Sequence, residues 1–247
     1  MKPPRLRKAT LTSNDVVAPS VHAIRFSLPD DEHLEFEPGQ YVSISFRHDG
    51  KEITRPYSIA SSARRQDGFT LLVKRVRGGL VSTYLCGLVP WERPVVRALA
   101  PLGRFMVENP GSHRVVMVAT GTGLAPFVPM VEHLWLDLPE TPTWLIFRAK
   151  TSGDLFYLKE LRSLERAWPR FHFVPTVDGL SPGDSWSGQF GHVGEVIARM
   201  FPTLNGTDVY LAGNSGEINR TEDIVAGLGC PPEQIHTERY GEEDALA

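Results

Sequence analysis

The first part of the chain alternates apolar and polar residues with a period of two, which is the pattern of β-strands that bury one face. Turn residues such as Pro38-Gly39 interrupt the alternation. It recurs in five segments: residues 21–30, 36–46, 53–61, 69–76 and 94–105. One short helix is expected over residues 78–88, where two glycines precede an apolar stretch. Short strands at close spacing predict an antiparallel barrel or sandwich.

Beyond residues 109–111, which read Asn-Pro-Gly and are typical of a linker, the pattern changes to strand, turn and helix. Apolar strands are expected over residues 114–119, 143–147, 171–177 and 208–213, with helical segments over 128–138, 154–168, 192–201 and 219–229. Residues 235–241 are a candidate last edge strand, and residues 179–188 are expected to form an exposed loop. The alternation predicts an α/β, Rossmann-like parallel sheet with helices on both faces. The chain is therefore expected to have two domains, 1–109 and 110–247.

Composition narrows the class of protein. The 247 residues are 41% hydrophobic and include only two cysteines, Cys86 and Cys230, which are far apart. This argues against a disulfide framework, a structural zinc site and an iron–sulfur cluster held by the chain itself. No segment approaches the roughly 18 apolar residues of a membrane span. We therefore expect a cytoplasmic monomer that binds no metal, nucleic acid or membrane.

The net charge of −3 is unevenly distributed along the chain. Residues 1–110 contain 16 Lys and Arg against 11 Asp and Glu, whereas the remainder contains 10 against 18. A basic first half and an acidic second half favour the two-domain interpretation and an acidic partner for the first domain. The alternative is that these charges only solvate two unlike surfaces.

A glycine turn, Gly121-Thr122-Gly123, follows the apolar strand at residues 114–119. Small residues between a strand and a helix leave backbone N–H groups exposed at the positive end of the helix dipole, which attracts phosphate. Thr122 adds a hydroxyl donor, and Pro126 suits a first helical turn because its missing N–H has no helical partner there. The turn lacks the G-x-G-x-x-G spacing, and an ordinary βα connection is the alternative.

A second group, Arg55-Pro56-Tyr57-Ser58, lies on a predicted strand. Strand geometry directs Arg55 and Tyr57 to one face and Ser58 to the other. A guanidinium suits a diphosphate, and a neighbouring tyrosine ring can cover a planar ring system. The alternative is a strand with a surface arginine and a half-buried tyrosine.

Gly78-Gly79-Leu80-Val81-Ser82 enters the short helix and offers a second anion site, inside the antiparallel domain. A diphosphate site in each domain suggests two dinucleotides that meet between the domains.

These three motifs follow one another along the chain at residues 55–58, 78–82 and 121–126. In this chain order they resemble the motifs of the ferredoxin–NAD(P)+ reductase family, and the resemblance covers nearly the whole chain. Residues 101–105 (PLGRF) and 154–161 (DLFYLKEL) add to the resemblance. The resemblance implies an FAD-binding antiparallel β-barrel, an NAD(P)-binding α/β domain, and hydride transfer between NADPH or NADH and FAD. Single electrons then pass to or from a ferredoxin or flavodoxin.

The resemblance also implies roles for individual residues. Arg55 contacts the FAD diphosphate, Tyr57 packs on the isoalloxazine, and Ser58 lies near flavin N5, so that Tyr57 and Ser58 are the candidate catalytic residues. The other candidate cofactor-binding residues are Pro56, Val73, Lys74, Gly78, Gly79, Leu80, Val81 and Ser82 for FAD, Gly121, Thr122, Gly123, Arg148, Ala212 and Gly213 for the nucleotide, and Tyr240 for a ring stacked on the flavin.

The chain departs from the family pattern in two places. Ala212-Gly213-Asn214 stands where the family usually has Cys-Gly-Pro, which removes a thiol from the nicotinamide site but leaves the backbone role of Gly213. Residues follow Tyr240, so a simple edge-strand residue is the alternative to a ring on the flavin.

The nucleotide preference is left open. Arg148 and Lys150 favour a 2′-phosphate and hence NADPH, because no acidic residue stands beside them in the sequence. The segment Thr176-Val177-Asp178 opposes this, since the resemblance implies a second phosphate-binding arginine at this place in NADPH-using bacterial relatives.

Three rival functions remain at this stage: the reductase component of a multicomponent oxygenase, a free flavin reductase, and a non-catalytic electron-conducting or nucleotide-binding subunit. If the partner is acidic, the candidate contacts on the basic first domain are Lys51, Arg64, Arg65, Lys74, Arg75 and Arg77.

Overall fold

The computed structural model describes residues 4–48, 50–107, 113–180, 183 and 185–241. The predicted linker at 109–111 lies outside these residues. The described chain divides into two compact units. One contains the residues up to Val107 together with Ala125–Glu132, and the other contains the rest.

The first unit is a six-stranded antiparallel sheet with strand order β4-β3-β6-β1-β2-β5. Its strands are β1 (Arg5–Ala18), β2 (Val21–Ser27), β3 (Tyr41–His48), β4 (Lys51–Ser58), β5 (Gly68–Lys74) and β6 (Val95–Leu102). An isolated antiparallel bridge between Ile59 and Leu71 joins the residue after β4 to β5, so the two edges of the sheet meet at one point. Helix α1 (Leu80–Gly87) connects β5 to β6.

The core of the first unit follows from the period-two pattern. Alternate residues such as Ile24 and Phe26 of β2 and Leu71 and Val73 of β5 are buried together. Helix α1 adds Leu85 and other apolar residues to the same cluster. One shared core explains why these strands and this helix fold as one body.

Strand β1 is the longest strand, and it was not among the five segments predicted from alternation. Its pairing with β2 shifts register between Leu11 and Ser13 and again between Val16 and Ala18. Each irregularity reverses the face on which the following residues lie, so the sequence of β1 does not alternate cleanly.

The second unit is a six-stranded parallel sheet with strand order β10-β9-β8-β7-β11-β12. Its strands are β7 (Arg114–Thr120), β8 (Thr143–Ala149), β9 (Phe171–Val177), β10 (Gln189–Phe190), β11 (Thr207–Asn214) and β12 (Ile235–Tyr240). Its helices are α3 (Leu158–Ala167), α4 (Val193–Met200), α5 (Ser215–Gly227) and the later part of α2 (Phe127–Asp137), whose residues up to Glu132 belong to the first unit. The two-domain fold class expected from the sequence is confirmed.

The strands of this sheet are apolar on both faces. In β7 all residues from Val115 to Ala119 are fully buried. Val116 and Val118 share one cluster with residues of α4 and α5, such as Ile197 and Ile218. A parallel sheet covered on both sides needs such continuous apolar runs, which is why these strands were recognisable in the sequence.

Three local features refine the expected elements. The segment expected to be helical from residue 154 begins with a 3₁₀ turn at Ser152–Asp154, and α3 starts only after Tyr157, whose φ is 58°. Cys86 and Cys230 are buried free thiols. The described residues of the predicted loop at 179–188 contain no helix or strand until β10.

In the described parts of the chain, no helix has the length and apolar character needed to cross a membrane.

Candidate functional site

Strand β4 carries the Arg55-Pro56-Tyr57-Ser58 group at the edge of the antiparallel sheet. Arg55 pairs in register with Ile44 and Tyr57 with Val42, so both side chains share a face with core residues. Both are half-buried, whereas Ser58, on the other side of the pleat, is buried. An edge strand tolerates Pro56, which lacks an N–H donor. The predicted pairing of a charge with an aromatic ring on one face is confirmed.

Arg55 is held close to the backbone of its own strand, because its NH1 donates a hydrogen bond to the Thr54 carbonyl at 2.9 Å. Tyr57 packs against the apolar core. Both side chains are therefore positioned by the fold, which a binding surface for a flat ring and a diphosphate requires.

The glycine turn before α1 is closed by Ser82. The Ser82 hydroxyl accepts from the Val76 N–H at 3.1 Å and donates to the Gly79 carbonyl at 3.3 Å. Gly78 has a φ of 78°, and a Cβ built on it would meet nothing within 4 Å. Gly79 precedes the helix, and no side chain caps the first turn. The Gly79 N–H already donates to the Val76 carbonyl at 3.0 Å, so the N–H groups of the first helical turn, from Leu80 to Ser82, are those available to a phosphate.

The other residues predicted to bind FAD differ in how far their side chains are exposed to solvent. Val73 and Val81 are buried in the core, and so only their backbone atoms are available to a ligand. Leu80 is half-buried and Lys74 is exposed. Lys51, Arg64, Arg65, Arg75 and Arg77, the other residues predicted to face an acidic partner, are exposed as well.

Helix α1 is anchored at its other end by Asn14 of β1, a residue that the sequence analysis missed. The Asn14 Nδ2 donates to the carbonyls of Leu85, Cys86 and Leu88 at 3.3, 3.3 and 2.8 Å. The Leu85 carbonyl also accepts from the Leu88 N–H at 3.2 Å, so Asn14 shares it with the residue that ends the helix. The Asn14 Oδ1 lies 2.8 Å from His22 Nδ1, and burial, followed by the charge of Arg75, lowers the pKa of His22.

In the parallel sheet, the predicted nucleotide turn lies at the carboxyl end of β7. Gly121 has a φ of 55°, and a Cβ on it would meet nothing within 4 Å. Residues Gly121–Leu124 form a 3₁₀ turn, and α2 begins at Phe127, directly after Pro126. Thr122 is half-buried. The backbone at this turn is therefore open on one side, as a ligand diphosphate requires.

The turn after β7 is locked against the end of β11. A Cβ on Gly123 would overlap the Ala212 carbonyl, and a Cβ on Gly213, whose φ is 140°, would overlap the Thr120 hydroxyl. The Thr120 hydroxyl also accepts from the Asn214 N–H at 3.0 Å. β7 and β11 are neighbours at the point where the strand order of the sheet reverses, and open α/β sheets bind ligands there. The methyl group of Ala212 is fully buried.

Arg148, at the end of β8, is bound by two carboxylates. Its Nε donates to Asp178 Oδ1 at 2.6 Å, its NH2 lies 2.6 Å from the same oxygen, and its NH1 lies 2.9 Å from Glu217 Oε2. The sequence analysis expected a guanidinium with no acidic neighbour, and that expectation is wrong because Glu217 comes from α5, far along the chain. Lys150 is exposed.

His192 completes this group, which we call the Arg148 cluster (Arg148, Asp178, His192 and Glu217). Its Nδ1 accepts from the Gly194 N–H at 3.2 Å and caps α4, while its Nε2 lies 3.0 Å from Glu217 Oε2. Burial lowers the pKa of His192; the charges of Arg220 and Arg148 act in the same direction, while Glu217 and Glu195 oppose it. The Gly194 contact requires an unprotonated Nδ1, and the approach of Nε2 to Glu217 is a close contact without hydrogen-bond geometry.

Tyr240 is the last residue of β12 and pairs with Asn214. Its hydroxyl donates to Glu238 Oε1 at 2.8 Å, and its carbonyl accepts from Ser215 Oγ at 3.2 Å. It is therefore an edge-strand residue of the parallel sheet.

Comparison with known proteins assigns both units. Residues 8–106 match the family model for an oxidoreductase FAD-binding domain, and residues 117–223 match that for an oxidoreductase NAD-binding domain. The chain is 32% identical to ferredoxin–NADP reductase B of Sorangium cellulosum over 94% of its own length and 97% of the relative. It is 26% identical to reductase component 1 of terephthalate 1,2-dioxygenase from a Comamonas species, covering 96% of this chain and 70% of that one.

Among solved structures, the Amycolatopsis cytochrome P450 reductase GcoB superposes with a TM-score of 0.89 at 26% identity. The match covers 98% of this chain and 71% of that protein.

Proposed function

This chain belongs to the ferredoxin–NAD(P)+ reductase family of FAD-dependent oxidoreductases, and we propose that it oxidises a nicotinamide dinucleotide and delivers the electrons singly to ferredoxin or flavodoxin. The observation that carries the proposal is the pair of open glycine turns, at Gly78 and Gly121, one in each unit. Each has a positive φ, no neighbour within 4 Å of a built Cβ and a place at the start of a helical turn, a combination that lets a diphosphate approach the backbone.

In the first unit, we assign the FAD site to β4 and the turn before α1. The Arg55 guanidinium binds the diphosphate together with the backbone N–H groups of the first turn of α1, and the Tyr57 ring covers the isoalloxazine. Ser82 shapes the turn through its two hydrogen bonds. Bound FAD supplies a hydride acceptor that can release electrons one at a time. The protein contributes position and charge.

In the second unit, we assign the nucleotide to the ends of β7 and β11. The backbone of Gly121, Thr122 and Gly123 binds its diphosphate, and Gly213 provides the close backbone approach that a side chain would block. Because Ala212 has no polar atom in its side chain, the chain offers no thiol there. Orientation of the nicotinamide then rests on backbone contacts and shape.

We propose the electron acceptor from the positive charge exposed on the first unit. The basic residues around the FAD site, including Lys74, Arg75 and Arg77, are exposed and complement an acidic carrier. Electron transfer to ferredoxin or flavodoxin should therefore slow strongly as ionic strength rises, since exposed charges are screened. Rates that do not respond to salt would contradict this choice of partner.

A second candidate function is the reductase component of a multicomponent oxygenase. It is favoured by the similarity to the terephthalate dioxygenase reductase component. The two functions differ in the physiological acceptor, so turnover with a purified ferredoxin, flavodoxin and oxygenase component distinguishes them. A free flavin reductase, in contrast, would lose its flavin on gel filtration.

The test of the proposed function is anaerobic mixing of FAD-loaded protein with NADH or NADPH while the visible flavin absorbance is followed. We expect bleaching with at least one nucleotide and subsequent reduction of ferricyanide. Loss of bleaching in Gly123→Ala, with FAD retained, would place the nucleotide at the β7 turn. If neither nucleotide bleaches bound FAD, the chain is a binding or conducting subunit instead.

A further inference from the structure

The Arg148 cluster lies at the carboxyl edge of the parallel sheet, the edge at which such sheets bind nucleotides. Arg148 is the penultimate residue of β8, Asp178 directly follows β9, and Glu217 is in the first turn of α5. The arginine is the residue of this edge best suited to bind a 2′-phosphate, the group that distinguishes NADPH from NADH. Its contacts therefore bear directly on nucleotide choice.

Every nitrogen of the Arg148 guanidinium already has a carboxylate oxygen beside it. Asp178 Oδ1 lies 2.6 Å from both Nε and NH2, and Glu217 Oε2 lies 2.9 Å from NH1. A guanidinium binds phosphate by two parallel N–H donors. Here Nε donates to Asp178, and NH1 is held in an ion pair with Glu217 that lacks hydrogen-bond geometry. The side chain is only 17% exposed, which limits its movement toward another partner.

The net charge of the Arg148 cluster also disfavours binding of a 2′-phosphate. One guanidinium stands against two carboxylates, and His192, whose Nδ1 accepts a hydrogen bond from the backbone, is neutral. The nearby Arg220 is paired with Glu195 at 2.7 Å and adds no net charge. A 2′-phosphate bound by Arg148 would therefore lie within a few ångströms of two uncompensated carboxylate groups.

Glu217 is itself held in place. His192 Nε2 lies 3.0 Å from the same Oε2 that contacts Arg148, and the imidazole is only 8% exposed. Asn214, three residues earlier, accepts from the N–H of Gly216 and of Glu217 and so fixes the first turn of α5. The position of the carboxylate is thus determined from both sides.

We propose that Glu217 is a specificity-determining residue, positioned by His192. By forming an ion pair with Arg148 it excludes a 2′-phosphate, and NADH is therefore the preferred nucleotide. The inference rests on the proposed function, because it requires that the nucleotide bind at this edge of the sheet. It replaces the NADPH preference that the arginine and lysine suggest in the sequence alone.

The test compares two ligands that lack nicotinamide, adenosine 5′-diphosphate and adenosine 2′,5′-bisphosphate, by titration calorimetry on FAD-loaded protein. The native chain should bind the 5′-diphosphate more tightly. Glu217→Gln keeps the shape of the side chain and removes its charge. It should shift the ratio of the two dissociation constants toward the 2′-phosphate by about tenfold, the effect of one unit charge a few ångströms from a dianion.

Two further variants control the result. Glu222→Gln removes a charge from the same helix, at a residue paired with Arg239 instead of Arg148, and should leave the ratio unchanged. His192→Asn keeps a residue type that caps helices well but removes the contact to Glu217, and should shift the ratio in the same direction as Glu217→Gln by a smaller factor.

The outcomes separate this inference from the proposed function. A native preference for the 2′-phosphate overturns the inference alone, and so does a ratio that neither Glu217→Gln nor His192→Asn changes. If neither ligand binds the native protein, the nucleotide site itself is wrong, and the proposed function fails with it.

Discussion

Replacing Asn14 with aspartate tests how helix α1, which follows the glycine turn assigned to FAD, is held to the sheet. Asn14 Nδ2 donates to three carbonyls at the end of α1, the nearest being that of Leu88 at 2.8 Å. Aspartate has nearly the same shape and keeps an acceptor for His22, but it has no N–H donor. The substitution therefore removes the donor and adds one negative charge.

The magnitude follows from the contacts. An amide NH₂ has two hydrogens, so at most two of the three carbonyls receive a full hydrogen bond, worth about 1 kcal/mol each. A carboxylate beside the negative end of the helix dipole adds a penalty of about 0.5–1 kcal/mol. Asn14→Asp should therefore destabilise the first unit by about 2–3 kcal/mol.

The assay is urea unfolding of the FAD-loaded protein at fixed FAD concentration, followed by flavin fluorescence, together with hydrogen exchange of the α1 amides. Asp15→Asn changes the charge of the exposed neighbouring residue on β1 by one unit and serves as the control. We expect earlier release of FAD and faster exchange in α1 for Asn14→Asp only. A difference from the control below about 0.5 kcal/mol would refute the reasoning, because surface substitutions commonly produce effects of that size.

Four other substitutions test the sites. Arg55→Ala should weaken FAD binding at least tenfold, as about 1.4 kcal/mol of lost charge-assisted hydrogen bonding implies, with a smaller effect on unfolding of the FAD-free protein; equal losses would leave the arginine merely structural. Gly123→Ala should cost about 2 kcal/mol or more in unfolding experiments, because its Cβ would overlap the Ala212 carbonyl. Gly121→Ala meets open space and should cost only the roughly 1 kcal/mol of a positive φ; the reverse order would contradict the packing described for this turn. The lowered pKa of His192 means that the unfolded chain binds a proton more readily than the folded one. Its contribution to stability is thus present above the ordinary pKa of 6.5 and is lost as the pH falls below it. His192→Asn should therefore flatten the stability profile below about pH 6.5. An unchanged profile would show that other groups dominate.

Much of the fold was predictable because local patterns determine it. The period-two segments became β2 to β6, and the apolar runs became the parallel strands β7, β8, β9 and β11. Strand β1 was missed because its two register shifts interrupt the alternation. The two-residue strand β10 is exposed and has no apolar pattern to mark it.

The candidate site, like the fold, was predictable from the sequence only in part. The sequence alone determined that Arg55 and Tyr57 share one face of a strand and that glycines occupy both turns, because strand pleating and positive φ values act within a few residues. Only the tertiary structure decided that the Asn14 side chain hydrogen-bonds the carbonyls at the end of α1 and that Glu217 forms an ion pair with Arg148. These contacts join residues far apart in the chain, and they depend on which strands lie side by side, which no local pattern specifies.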